Sequence, residues 1–159
     1  MAPERSKALV RQLFDRFWNH GDLAAAERLL APTFIDHTPL LGIHPAATPV
    51  DRAAFLAGRA RLRTAFPDLA CTLEDVIAED DLVAVRWHMH GSHQGRYLGQ
   101  PPSGKQFTIT GISIYQVAQE QISAVWSEHN LLGLLQQLEI VPPPSQTDRE
   151  RFYVWRALR

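Results

Sequence analysis

The feature that most limits how this chain can fold is a change of hydrophobic period near residue 68. Before it, apolar residues recur at helical spacing; after it, they alternate. Leu9, Val10, Leu13, Phe14 and Phe17 form one stripe between Pro3 and about His20, with Arg5, Lys7, Arg11 and Gln12 largely off it. Gly21 stops that helix. Asp22 suits the N-cap of a short second helix through Leu30, closed by Pro32. Residues 33–49, TFIDHTPLLGIHPAATP, carry prolines and a glycine and read as a loop crossing the surface. Asp51 opens a third helix, DRAAFLAGRARLRTAF, which ends before Pro67.

From there residues 69–79, 81–93, 105–117 and 121–130 are strand candidates, rich in Val, Ile, Thr, Trp and Tyr. EDDL and AQEQ are short enough to be hairpin turns, whereas QGRYLGQPPSG is a longer connection of the kind that borders sites. Residues 131–139 form a last short helix. The tail VPPPSQTDRERFYVWRALR begins with three prolines and continues as a charged, aromatic segment. Helices first and an antiparallel sheet after them define an α+β fold.

Composition narrows the function classes. The 159 residues suit one domain with a real core. A formal net charge of −1 offers no electrostatic footprint for nucleic acid or an anionic membrane. No apolar run approaches a membrane span, and MAPERSKALVRQLF lacks the apolar core of a signal peptide, so the expected compartment is the cytoplasm. A lone cysteine, Cys71, leaves no internal disulfide and no cysteine zinc site.

Pairing the strands places side chains on faces. With Gln119 and Glu120 at a two-residue tip, Val117 faces Ile122, and a continuous ladder then sets Ser113 opposite Trp126 and Gly111 opposite Glu128. Trp87 falls beside Gly111 and Met89 beside Ile109. One face then holds Val83, Val85, Trp87, Met89, Phe107, Ile109, Gly111, Ser113, Tyr115, Trp126, Glu128 and Asn130, apolar with polar groups at one end, as in a small-molecule pocket. The other face holds Arg86, His88, His90, Thr108, Thr110, Ser127 and His129, with Ile112 and Ile114 among them, and suits water or a second subunit. In the first strand, a one-residue slip decides whether Glu74 or Asp75 points inward.

The stretches FWNHGDLAAAERLLAPTFIDHTP, AFPDL, GSHQGRYLGQPPSGKQF, GISIYQV and WSEHNLLGLLQQL, between about Leu9 and Ile140, resemble the SnoaL-like polyketide cyclases (ester cyclases) of the nuclear-transport-factor-two-like superfamily. The resemblance implies a cone-shaped curved antiparallel sheet packed on N-terminal helices around one apolar cavity. It makes residues 1–141 the SnoaL-like domain and 142–159 a tail able to pack on a partner subunit. It also implies chemistry without cofactor or metal, on a hydrophobic oxygenated small molecule, by aldol-type or epoxide-opening cyclisation. The alternatives are an epoxide hydrolase-like enzyme or a binding protein without catalysis. Characterised cyclases carry an aspartate acid/base just before the closing helix, where this chain has Asn130.

Glu128, two residues earlier on the same face, is therefore the expected acid/base, since a desolvated carboxyl can titrate near neutral pH. A bystander carboxylate tied to a backbone amide or an arginine is the competing reading. Asn130 either polarises a carbonyl or N-caps the last helix. His37, in FIDHTP, is placed by the resemblance where a loop arches over the cone mouth; a solvated loop histidine is the plain alternative. His93 lines the rim or holds its loop. Ser113 and Tyr115 supply inward hydrogen bonds, and Phe14, Phe17, Trp18, Trp87, Met89, Ile109 and Trp126 form walls around a ligand. His88, His90 and His129 as a metal triad is the weakest option, because strands two apart lie roughly 9–10 Å from one another. A homodimer through the Arg86/His88/His90/His129 face, with Ile112 and Ile114 as anchors and Phe152, Tyr153 and Trp155 of the tail reaching across, completes the expectation.

Overall fold

The computed structural model describes residues 3–38, 49–143 and 145–147. The chain starts with α1 (Pro3–Gln12), whose buried Val10 continues into a π-helical segment, Leu13–Asn19, carrying buried Leu13, Phe14 and Phe17. The wider turn leaves carbonyls that Arg63 takes up from the third helix. Its guanidinium donates to Trp18 O at 3.2 Å, to Leu69 O at 3.4 Å and to Asn19 O. The Asp22 carboxylate caps α2 (Leu23–Leu29) through Ala25 N at 2.9 Å, and the Asp51 carboxylate caps α3 (Arg52–Ala65) through Ala54 N at 2.9 Å.

The first difference from the sequence reading comes after α2. Leu30–Asp36 is a strand, β1, where a helix end and a surface loop were expected. It runs parallel to the last strand, with Asp36 beside Val125, and a two-residue strand, β2 (Val50–Asp51), covers its other edge. Pro32 is compatible because it lies where the β1 pairing is irregular. Residues 39–48 of the expected loop lie outside the described residues.

The remaining strands fall close to their expected places: β3 (Ala70–Glu79), β4 (Leu82–Ser92), β5 (Gln106–Ala118) and β6 (Gln121–His129), followed by α4 (Leu131–Gln137). They complete a curved, unclosed six-stranded sheet of order β2-β1-β6-β5-β4-β3. Its concave face packs on α1, the π-helical segment and α3 through Phe14, Phe34, Phe55, Phe66, Val83, Val85, Trp87 and Tyr115. The β5–β6 hairpin turns on Gln119 (φ 50°) and Glu120 (φ 63°), as a two-residue turn of primed type requires.

Two bulges decide which way polar residues point. In β3 the extra residue is Glu74: Leu73 pairs with Trp87 and Asp75 with Arg86. Neither acid turns inward; both are exposed, with Asp75 accepting from Arg86 Nε at 2.6 Å and Glu74 facing His88 Nδ1 at 2.6 Å. In β6 the extra residue is Ser123. Val117 pairs with Ile122, as expected, but Gln116 pairs with Ala124. Beyond that point every β6 residue sits one position away from a continuous ladder.

Candidate active site

The β6 bulge reverses the proposed site. Ser113 faces Ser127 and Gly111 faces His129, while Ile112 faces Glu128 and Ile114 faces Trp126. Trp87 and Glu128 therefore lie on opposite faces of the sheet. Glu128 is exposed on the convex side, and Trp126, 41 % exposed, stacks there on His37 with ring centroids 4.8 Å apart. His37 donates its backbone N–H to Val125 O at 2.8 Å, which holds it beside β6 rather than over the mouth of the cone. Glu128, Trp126 and His37 are thus not brought together with the concave residues. Asp36, by contrast, is buried, and its Oδ1 accepts from Thr38 N at 2.8 Å instead of meeting the His37 ring.

What reaches the interior is His129. Gly111 makes this possible: a Cβ there would lie 2.3 Å from the Trp87 ring, so the indole lies flat across the glycine and reaches within 6.3 Å of the imidazole. Trp87 Nε1 donates to Ser113 Oγ at 2.9 Å, and Ser113 Oγ shares a 2.7 Å hydrogen bond with Ser127 Oγ. Ser113, Ser127 and His129 therefore line one strip of the concave face. The metal triad dissolves for the same reason, since His88 and His90 stay on the convex side.

Arg59, on α3, and Asp36, on β1, complete the polar cluster. Arg59 Cζ lies over the Trp18 ring at 4.5 Å and the Phe55 ring at 5.0 Å, and its guanidinium approaches Asp36 Oδ2 to 3.7 Å. Burial lowers the His129 pKa below its ordinary value, and the Arg59 charge lowers it further, against the opposing pull of Glu128 and Asp36. Both effects favour the neutral imidazole, the form able to accept a proton. Burial pushes the Tyr115 phenol up, beyond use as a base, and leaves it a donor. It also pushes the Cys71 thiol up to about 12, away from nucleophilic use.

Other expected residues have clear places. Phe14 packs edge-on to Tyr115 at 6.0 Å, and Phe17 packs on Phe55 at 5.9 Å. Met89 and Ile109 are buried core neighbours in adjoining strands. His93 holds its loop: Nδ1 accepts from Ser103 N at 3.3 Å and lies 3.0 Å from Ser103 Oγ, with the ring packed near Phe66 and Tyr97. Asn130 caps α4 through Gly133 N at 2.9 Å, the capping alternative offered by the sequence. A cleft of about 470 Å³ opens between the π-helical segment and α3, with Trp18, Arg59, Leu62 and Arg63 in its walls.

Arg59 was missed by sequence reasoning. It is one of four arginines in α3, but Phe55, Leu56, Arg59, Leu62 and Phe66 share helical spacing, so a cation on the apolar stripe was a readable signal. His129 left a weaker trace: Gly111 beside Trp87 required a flat ring contact, without saying which β6 side chain would share it.

A curved, unclosed sheet packed over helices, with polar side chains converging on its concave face, is an α+β fold of the nuclear-transport-factor-two-like kind. The chain belongs to the SnoaL-like polyketide cyclase family, whose model matches residues 8–138. Among solved structures it is similar to IdmH, a candidate polyketide cyclase from Streptomyces antibioticus, at 31% identity and TM-score 0.75 over 84% of this chain and 98% of that one. A candidate SnoaL-like polyketide cyclase from Jannaschia sp. CCS1 is 25% identical, with TM-score 0.77 over 89% and 95% of the two chains. AclR, a candidate hydroxylase from Streptomyces galilaeus, superposes over 99% and 95% with TM-score 0.83, a likeness of fold at 22% identity. No functionally curated sequence matches the chain.

Proposed function

We propose that the protein is a cofactor-independent, cyclase-type enzyme acting by acid/base chemistry on a hydrophobic, polyketide-like molecule, with His129 in the role expected of Glu128. One observation carries this reading: a desolvated imidazole, held toward its neutral form, beside an indole on the concave strip that also carries the paired hydroxyls of Ser113 and Ser127. The neutral imidazole takes a proton from a carbon next to a substrate carbonyl. The resulting enolate carbon bonds to a second carbonyl carbon, and the new alkoxide takes the proton back from the imidazolium. Substrate and product have equal mass. Ser127 and Tyr115 are the hydroxyl donors available to the developing oxyanion.

The test offers the protein aromatic polyketides with a free methyl ketone, both as free acids and as methyl esters, and follows mass-neutral ring closure. Closure lost in His129→Gln and kept in Glu128→Gln supports the reading; the reverse pattern returns the chemistry to Glu128. Ligand binding without turnover in any variant supports a carrier instead, a reading that the capping role of Asn130 favours.

We also infer that a second copy covers the convex face, in a cytoplasmic homodimer. Ile112 is 55 % exposed there, Ile114 40 % and Trp126 41 %, a run across paired strands. His129 is absent from that face, and the aromatic residues of 148–159 lie outside the described residues. Sedimentation of the full chain and of Ile112→Glu checks this; a monomer in both removes it.

A further inference from the structure

Two arginines line the cleft between the π-helical segment and α3, and they differ in one respect. Arg63 spends its donors on the carbonyls of Trp18, Asn19 and Leu69. Arg59 makes no hydrogen bond among the described residues. Its contacts with Trp18 and Phe55 are ring contacts at 4.5 and 5.0 Å, which use the charge and not the N–H groups. Its counter-ion, Asp36, stays at 3.7 Å, outside hydrogen-bonding distance, and binds Thr38 N through its other oxygen. A guanidinium with unspent donors in a half-buried position has the planar fork that matches a carboxylate. The cleft gives it an approach: its side chain is 29 % exposed, and the walls are Phe17, Trp18, Leu23, Leu62 and Leu69, with no acidic residue among the lining groups.

We propose that this cleft receives a flat, apolar carboxylate and that Arg59 binds its carboxylate group, making Arg59 the residue that selects an acid over its neutral counterpart. This goes beyond the reading above and stands apart from it, since Arg59 belongs to both the cleft and the polar cluster whereas His129, Ser113 and Ser127 do not line the cleft. Burial holds the Arg59 guanidinium below its ordinary pKa despite Asp36, as expected of a cation whose compensation is incomplete until an anion arrives. The 470 Å³ of the cleft suits a molecule of two or three rings.

The test is calorimetric binding of 2-naphthoate and 2-naphthamide, which share a ring system and differ in charge, to the full chain. The wild type is expected to prefer naphthoate by about tenfold or more, one charge-assisted hydrogen bond's worth. Arg59→Met should bring the ratio to about one while naphthamide affinity stays within about threefold. Arg59→Lys, the safer variant for folding, should keep part of the preference. His129→Gln should keep all of it, so loss of turnover in that variant with the preference intact separates the acid/base reading from this one. Equal affinities in the wild type, an undiminished preference in Arg59→Met, or no naphthoate binding at millimolar concentration overturns the proposal.

Discussion

The two faces of β6 carry similar polar residues and offer opposite environments. Ser127 and His129 point to the concave side, against Ser113, Gly111 and Trp87, whereas Trp126 and Glu128 point to the convex side, against Ile114 and Ile112. One strand thus holds an imidazole whose protonation burial opposes and, next to it, a carboxylate open to water. The convex histidine His88 shows the contrast from the other direction, because its partner is the exposed carboxylate of Glu74 at 2.6 Å. Residue type does not decide which polar group is desolvated here. The face does, and the face depends on one inserted residue, Ser123.

Deleting Ser123 is the hardest way to break this contrast. A continuous ladder would drive Trp126 and Glu128 inward and His129 outward, burying an unpaired carboxylate; the expected cost is about 3 kcal/mol or more in chemical denaturation, with ring closure abolished. Within an intact fold, His129→Gln should lower turnover by about 10²-fold or more while Glu128→Gln stays within about twofold, read as initial rates. Gly111→Ala comes next. Its methyl group would overlap the Trp87 ring, so a loss of about 1–3 kcal/mol is expected, together with altered Trp87 fluorescence.

Asn130 sharpens the comparison at the strand's end. Asn130→Ala should cost about 1 kcal/mol by removing the α4 cap, whereas Asn130→Asp should keep the cap and the stability. The smallest effect is the pH response of His129. Its folded pKa lies below the ordinary 6.5, so the unfolded chain binds the proton more readily. Its contribution to stability is intact above 6.5 and is lost as pH falls through the window beneath that value. Denaturation midpoints measured at falling pH, for the wild type and His129→Gln, should diverge in that window; parallel curves would place His129 in water.

Periodicity and turn chemistry alone determined most of the architecture: the three N-terminal helices with Asp22 and Asp51 as caps, the four long strands, the Gln119–Glu120 turn, and the Trp87/Gly111 and Met89/Ile109 pairs. The helices, strands and turn depend on neighbours along the chain or across one tight hairpin, so local rules suffice. The β4–β5 pairs, joined by a longer connection, follow from matching the apolar faces of two alternating strands. Three things were decided by the tertiary structure. Leu30–Asp36 is a strand because β6 offers a parallel edge far away in sequence, which no local pattern announces. Arg59 joins the interior because α3 packs its apolar stripe on β1 and the π-helical segment, bringing a cation to Asp36, Trp18 and Phe55. His129 holds the concave position expected of Glu128 because alternation counts residues but cannot count a bulge. A single extra residue moves every later side chain to the other face, and only the energy of burying Val125, Ser127 and His129 rather than Trp126 and Glu128 settles where the chain absorbs it.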